Sequence, residues 1–210
     1  MKALLLAGGF GKRLRPITEK IPKCLVPIQR RPLLDYWVYN LAKSNFNAFL
    51  VNTHYLPDEV RSFVSHHPLR EKIKLVHEDK LLGTAGTLRH NINYLNGEDI
   101  LMAHADNYCT ADFKEFIHHH NKRPKGCLIT MMTFITENPE SCGIVKLDVN
   151  GVVQKFYEKD TSPRGNLANG AIYILSKEFL AIYAEDFKTA VDFSLDVIPN
   201  LLGKIYTYHT

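Results

Sequence analysis

Residues 2–7, Lys2-Ala3-Leu4-Leu5-Leu6-Ala7, form a short, almost wholly apolar run that stops at Gly8-Gly9. A run of this length and polarity fits a strand covered on both faces, the usual state of a strand in a parallel sheet. Parallel neighbours require a long return connection, usually a helix packed on the sheet. The following sequence supplies such units. Pro32 stands where a helix can begin, and Leu33, Leu34, Trp37, Val38, Leu41 and Ala42 recur at helical spacing. Residues 48–52 read as a strand, 57–65 as a helix, 73–78 as a strand, 87–95 as a helix and 99–106 as a strand.

The rhythm changes from residue 127. Residues 127–134, 143–149 and 152–158 are strand-like, and Asn150-Gly151 between the last two is a strong hairpin signal. Residues 170–175 and 204–209 read as strands, 177–185 and 194–202 as helices. The pattern predicts an α/β fold: an open, doubly wound, mostly parallel, Rossmann-like sheet with an inserted antiparallel ribbon. No linker or internal repeat interrupts it, so the 210 residues are expected to form a single domain.

The loop after the first run carries the chemistry. Gly8, Gly9 and Gly11 permit positive φ and close backbone approach, which lets their N–H groups point at a polyanion, and Lys12, Arg13 and Arg15 add charge beside them. Two familiar phosphate loops fail by letter. Gly11-Lys12 is followed by Arg13, and Gly9-x-Gly11 leads to Leu14 three residues later, so neither GxxxxGK[ST] nor GxGxxG is present.

The longer string is more specific. Leu6-Ala7-Gly8-Gly9-Phe10-Gly11-Lys12-Arg13-Leu14-Arg15-Pro16-Ile17-Thr18, followed by Pro22-Lys23-Cys24-Leu25-Val26-Pro27-Ile28, resembles the sugar-phosphate nucleotidyltransferase signature LAGGxGxRLxPxT with PKxLxPI. The resemblance extends from residue 2 to about 202 and implies transfer of a nucleotidyl group from a nucleoside triphosphate to a sugar 1-phosphate, releasing pyrophosphate. It implies a nucleotide-binding half at about residues 1–110 and a sugar-phosphate-binding half at about 111–210. The segment Leu82-Gly83-Thr84-Ala85-Gly86-Thr87-Leu88 is most similar to the mannose-1-phosphate guanylyltransferase branch, including enzymes for manno-configured heptoses. GTP and a mannose- or manno-heptose-type sugar phosphate are therefore the favoured substrates.

By resemblance, Leu6, Ala7, Gly8, Gly9, Gly11, Lys12 and Arg13 hold the nucleotide, with Glu78, Gly83 and Thr84 against the base. By resemblance and charge, Arg13 stabilises the departing pyrophosphate, and Lys23 bridges the α-phosphate and the incoming sugar phosphate. Asp106 closes an apolar strand at the edge where ligands enter such sheets, and a hard carboxylate there suits Mg²⁺. Gly143, Glu158, Lys159 and Asn169 correspond to the sugar-phosphate-binding segments. A Glu-Lys pair at a strand end is also compatible with a simple exposed ion pair.

Several departures matter. Lys12 replaces a small hydroxyl residue of the family pattern, Ala105 replaces the Gly before the metal-binding Asp, and no WxDxG segment supplies a second metal-binding Asp. A chain stopping inside a strand-like segment reads as a shortened version of the enzyme. The missing Asp also motivates an alternative: a catalytically silent nucleotide-sugar-binding or regulatory module.

Other classes fit less well. A surplus of +4, from 26 Lys and Arg against 22 Asp and Glu, suits a small anionic ligand but not a nucleic-acid footprint. No apolar run reaches membrane-spanning length. The four cysteines lack CxxC spacing and the opening apolar run is too short for a signal-peptide core, which together predict a reducing, cytoplasmic setting. The tract His118-His119-His120 reads as a solvated helix end, because consecutive helical residues point in different directions. The sequence leaves a homo-oligomer open.

Overall fold

A computed structural model describes residues 1–158, 160 and 165–210. Its strands are β1 (Lys2–Leu6), β2 (Pro27–Ile28), β3 (Arg31–Pro32), β4 (Ala48–Thr53), β5 (Ile73–His77), β6 (Ile100–His104), β7 (Ile129–Ile135), β8 (Gly143–Leu147), β9 (Val153–Glu158), β10 (Leu167–Leu175) and β11 (Ile205–His209). The α-helices are α1 (Leu33–Lys43), α2 (Pro57–His66), α3 (Gly83–His90), α4 (Ile92–Leu95), α5 (Phe113–Asn121) and α6 (Lys177–Asp186). The chain divides into two compact units: Met1–Leu82 with Leu101–Phe113, and Gly83–Ile100 with Lys114–Thr210.

The first unit carries the expected βα rhythm. Its strand order is β6-β1-β4-β5, with β1 to β4 and β4 to β5 parallel. Ala3, Leu4 and Leu5 are completely buried, as a strand covered on both faces requires. α1 buries Leu33, Leu34, Trp37, Val38 and Leu41, and α2 buries Val60 and Val64, each set one helical stripe.

The connection between β1 and α1 is built from short ordered pieces. It folds as single 3₁₀ turns at Lys12–Leu14, Ile17–Glu19 and Lys23–Leu25, then a ribbon pairing Pro27 with Pro32 and Ile28 with Arg31. The ribbon reverses through Gln29 and Arg30, both at positive φ. Turns this short leave no periodicity in the sequence.

In the second unit, β7 pairs antiparallel with β10 and parallel with β11. The ribbon expected around Asn150-Gly151 is the β8–β9 hairpin: Gly151 adopts φ +76°, and Asp148 Oδ1 accepts the N–H groups of Asn150 and Val152. The helix expected over 87–95 instead begins at Gly83 and breaks between α3 and α4. Residues 194–202 do not form one helix. A π-helical turn, Phe193–Val197, passes into a 3₁₀ turn, Ile198–Leu201, because Pro199 has no N–H to continue a ladder. Among the described residues, no helix is long and apolar enough to cross a membrane.

The histidine tract does end α5 with His118 exposed, but its last member is not solvated. His120 is completely buried, with Nδ1 2.7 Å from Thr130 Oγ1 and Nε2 3.2 Å from Asp99 Oδ2. The geometry suits a neutral ring that accepts from Thr130 and donates to Asp99. Burial holds the imidazole below its ordinary pKa, against the opposing pull of Asp99. Its hydrogen bond to His120 in turn holds the Asp99 carboxyl below the usual range.

A base with a depressed folded-state pKa leaves the unfolded chain holding more protons on acidification, so its stabilising effect is complete above about pH 6.5 and is lost below that. Denaturant unfolding should therefore show falling stability from pH 7.5 to 5.5, with a shallower slope in His120→Gln. An unchanged slope in the variant would show that His120 is not the responsible group.

Candidate active site

The chemistry-bearing loop is positioned by the ends of neighbouring strands. Ala105 N–H donates to the Leu6 carbonyl (2.9 Å), which sets Asp106, the second residue after β6, beside the exit of β1. Leu6 and Ala7 are buried, and the Ala7 N–H is taken by Asn52 Oδ1 at 2.7 Å. Gly9 faces open space, and a Cβ there would meet nothing within 4 Å. Gly11 differs: it sits at φ +61°, and a Cβ would lie 2.9 Å from Thr18 Cγ2 and 3.2 Å from Lys23 Cβ. Thr18, completely buried, donates its hydroxyl to the Gly11 carbonyl at 2.8 Å. The glycine and the threonine of the motif are thus two halves of one packed turn.

That turn opens onto a cleft of about 520 Å³ lined by Gly11, Lys12, Arg13, Leu14, Lys23, Asp106 and Asn107. Lys12 and Arg13 are exposed. Lys23 Nζ lies 2.8 Å from Asp106 Oδ2, both side chains only about one-fifth exposed. The Asn107 carbonyl accepts from Trp37 Nε1 at 2.8 Å, which fixes the Asp106 turn against α1. Burial, and secondarily the Asp106 charge, push the Cys24 thiol up to about 12, so it is no thiolate nucleophile at neutral pH. Lys12, Arg13 and Lys23 thus stand around a single carboxylate, an arrangement with the charge to attract an anion.

Glu78 follows β5. It is only 3% exposed, and its carboxylate is turned inward: Oε1 accepts from Asn52 Nδ2 (3.0 Å) and Oε2 from Leu82 N–H (3.2 Å). Gly83 and Thr84, in the second unit, form the start of α3. Gly83 is at φ +76°, where a Cβ would lie 2.3 Å from the Val191 carbonyl. That carbonyl accepts Ala85 N–H at 3.0 Å, and Thr84 Oγ1 accepts Phe193 N–H at 2.6 Å. Asp196 Oδ2 accepts from Val191 and Asp192 N–H, and these backbone donors hold its carboxyl below the usual range.

Also within the second unit, Gly143 and Glu158 are opposed across the β8–β9 ladder. A Cβ on Gly143 would lie 2.5 Å from Glu158 Oε2 and 2.6 Å from the Phe156 ring, so the glycine makes room for that carboxylate. Asn169 donates to Tyr173 Oη (2.7 Å) and accepts Ala171 N–H (2.9 Å), pinning an irregularity in β10. Lys159 lies outside the described residues.

The structure thus brings Gly8, Gly9, Gly11, Lys12, Arg13, Lys23 and Asp106 together in one unit and places Gly143, Glu158 and Asn169 in the other. The sequence reading overlooked Asn52, Thr18, Trp37 and the clamp built from Val191, Phe193 and Asp196. Thr18 was visible as the last letter of the loop signature, Trp37 as part of the helical stripe and Asn52 as a carboxamide ending the apolar run 48–52, but none of the three showed its role.

A family model described as nucleotidyl transferase matches residues 2–209. The chain belongs to this family. A protein of Sulfolobus acidocaldarius named as a putative mannose-1-phosphate guanyltransferase is 32% identical over 203 residues, covering 96% of this chain and 54% of the relative. The mannose-1-phosphate guanylyltransferase catalytic subunit beta of Xenopus tropicalis is 32% identical over 185 residues, 86% of this chain and 51% of the relative. The chain therefore spans about half the length of these curated relatives. Among solved structures, a putative glucose-1-phosphate thymidylyltransferase of Bacillus anthracis shares the fold, with a TM-score of 0.84 at 21% identity over 100% of this chain and 87% of that one. HddC from Yersinia pseudotuberculosis, complexed with GMP-PN, matches with a TM-score of 0.80 at 25% identity over 100% and 90% of the two chains.

The two loop glycines of this nucleotidyl transferase chain should behave differently. Gly11→Ala places a β-carbon in the left-handed region, at about 1–2 kcal/mol, and against Thr18, so its melting temperature should fall. Gly9→Ala should melt like the parent. Equal melting of both variants, followed by differential scanning calorimetry, would contradict the packed-turn reading.

Proposed function

We propose that the protein transfers a nucleotidyl group from a nucleoside triphosphate to a sugar 1-phosphate, with GTP and a mannose- or manno-heptose-type phosphate as the favoured pair. The observation that carries this reading is the cleft in which Gly11, Lys12, Arg13 and the Lys23–Asp106 pair converge. The family membership supports the reaction class, and the names of the relatives support the choice of guanine and mannose.

The reaction joins two anions. A sugar-phosphate oxygen attacks the α-phosphorus, and the bond to the β-phosphate breaks to release pyrophosphate. Repulsion between the reactants is the main obstacle, and positioned positive charge is the remedy. Gly8, Gly9 and Gly11 offer backbone to the triphosphate, with Gly9 leaving room for close approach. Arg13 neutralises charge accumulating on the departing pyrophosphate. Lys23 is held in the cleft by Asp106, and an arriving phosphate offers its ammonium a second anionic partner. In the second unit, Glu158 and Asn169 are the candidates for sugar hydroxyls, with Gly143 supplying space. Glu78 contributes to the base site through the backbone it holds at Leu82. Gly83 and Thr84 present the start of α3.

Mg²⁺ is the proposed cofactor. Among the described residues no group of three or more His, Cys, Asp or Glu could hold a metal ion. One carboxylate completed by phosphate oxygens and water is nevertheless a donor set that suits this hard cation, and Asp106 fits that part. When bound, the ion would neutralise phosphate charge. We further propose that the protein acts in the cytoplasm, and the open question of a homo-oligomer does not enter the mechanism.

A pyrophosphate-release assay across the four common ribonucleoside triphosphates and a panel of sugar 1-phosphates tests the proposal. Turnover should be highest with GTP and a manno-configured phosphate, should be lost with a chelator, and should fall by about 10²-fold or more in Asp106→Asn and Lys23→Met. Tight nucleotide-sugar binding without turnover would favour a silent binding module instead. Turnover unaffected by either substitution would refute the assigned roles.

A further inference from the structure

Asn52 ends the apolar part of β4 and is 3% exposed, a carboxamide closing an otherwise hydrophobic stretch. Buried amides need partners for both their carbonyl and their NH₂. The Asn52 Oδ1 accepts Ala7 N–H at 2.7 Å, and Nδ2 donates to Glu78 Oε1 at 3.0 Å. Only one orientation satisfies both neighbours, since Ala7 N–H is a donor and a carboxylate is an acceptor. The network continues outward from Glu78. Its Oε2 takes Leu82 N–H at 3.2 Å, and its main-chain carbonyl lies 2.7 Å from His54 Nδ1. The same carboxamide also limits the glycine loop, because a Cβ on Gly8 would lie 3.0 Å from Nδ2.

One buried side chain therefore ties the first peptide of the glycine loop to the segment that follows β5. We propose that Asn52 is a positioning residue for nucleotide binding, locking the phosphate loop at Ala7-Gly8 to the Glu78–Leu82 segment so that both meet the nucleotide as one prearranged surface. This inference rests on the nucleotide reading of the cleft. The physical basis is pre-organisation: backbone N–H groups that are already aimed lose less freedom when an anion arrives. A network of this kind is also intolerant of partial satisfaction, because each buried member left without its partner carries a desolvation penalty.

The polarity of the network makes it testable. In Asn52→Asp two carboxylates face each other where a donor and an acceptor met. In the double variant Asn52→Asp with Glu78→Gln the pair is reversed. The carboxylate introduced at position 52 can accept both Ala7 N–H and an N–H of the carboxamide introduced at position 78, whose oxygen can still accept Leu82 N–H. GTP affinity with Mg²⁺ present is measured by calorimetry, and melting is followed in parallel. Asn52→Asp should bind GTP about tenfold or more weakly, and the double variant should return to within about threefold of the parent.

The inference is overturned if folded Asn52→Asp binds GTP like the parent. It is equally overturned if the double variant recovers melting but not GTP affinity, which would mark the network as packing alone. Should Asn52→Asp fail to fold, the double variant decides: a cooperative melt with near-parental affinity supports the lock, and an unfolded or non-binding protein refutes it. A parent chain that binds no GTP overturns the nucleotide reading itself, and this inference with it.

Discussion

The ion pair between Lys23 and Asp106 is the contact on which the rest of the site depends. Its members come from a 3₁₀ turn and from the residues after a strand, 83 positions apart, and they meet only because β1 and β6 end side by side. Every feature around it serves that meeting. Gly11 takes a left-handed conformation so that Thr18 and Lys23 can pack close, and Trp37 holds the carbonyl next to Asp106. A pair about four-fifths shielded from water is neither a weak surface contact nor a fully desolvated charge trap. It keeps two opposite charges in place at the wall of the cleft while leaving part of each exposed.

The two units each hold part of the residues assigned above. The first holds the cleft lined by Lys12, Arg13, Lys23 and Asp106, and a buried polar network at Asn52 and Glu78. The second supplies the start of α3, held by Val191, Phe193 and Asp196, and the hairpin in which Gly143 yields space to Glu158. Gly11 in the first unit and Gly83 and Gly143 in the second are fixed by steric need at particular contacts, while Trp37 and Asn52, outside the loop signature, hold backbone on which the loop rests.

Much of this was legible from residue order. The burial of β1 followed from an uninterrupted apolar run, α1 from its 3.6-residue spacing, and the β8–β9 hairpin from Asn150-Gly151. Family membership was legible in the spacing of Gly8 to Thr18 and Pro22 to Ile28. Other features were hidden because their causes are long-range. His120 is buried because Asp99 and Thr130 meet it from other elements, which a tract of identical letters cannot reveal. The π-helical turn at Phe193–Val197 is fixed partly by local caps from Asp192 and Asp196 and partly by the long-range bond from Phe193 N–H to Thr84, which the sequence does not show. Asn52 reads as an ordinary strand end until Ala7 and Glu78 are placed on either side of it.

The most direct test of the central claim is a crystal structure of the protein soaked with GTP and Mg²⁺. The account predicts triphosphate density along Gly8–Arg13, with Asp106 turned from Lys23 toward the metal and the lysine against phosphate. Nucleotide bound elsewhere, with the Lys23–Asp106 pair intact and the cleft holding only solvent, would contradict it.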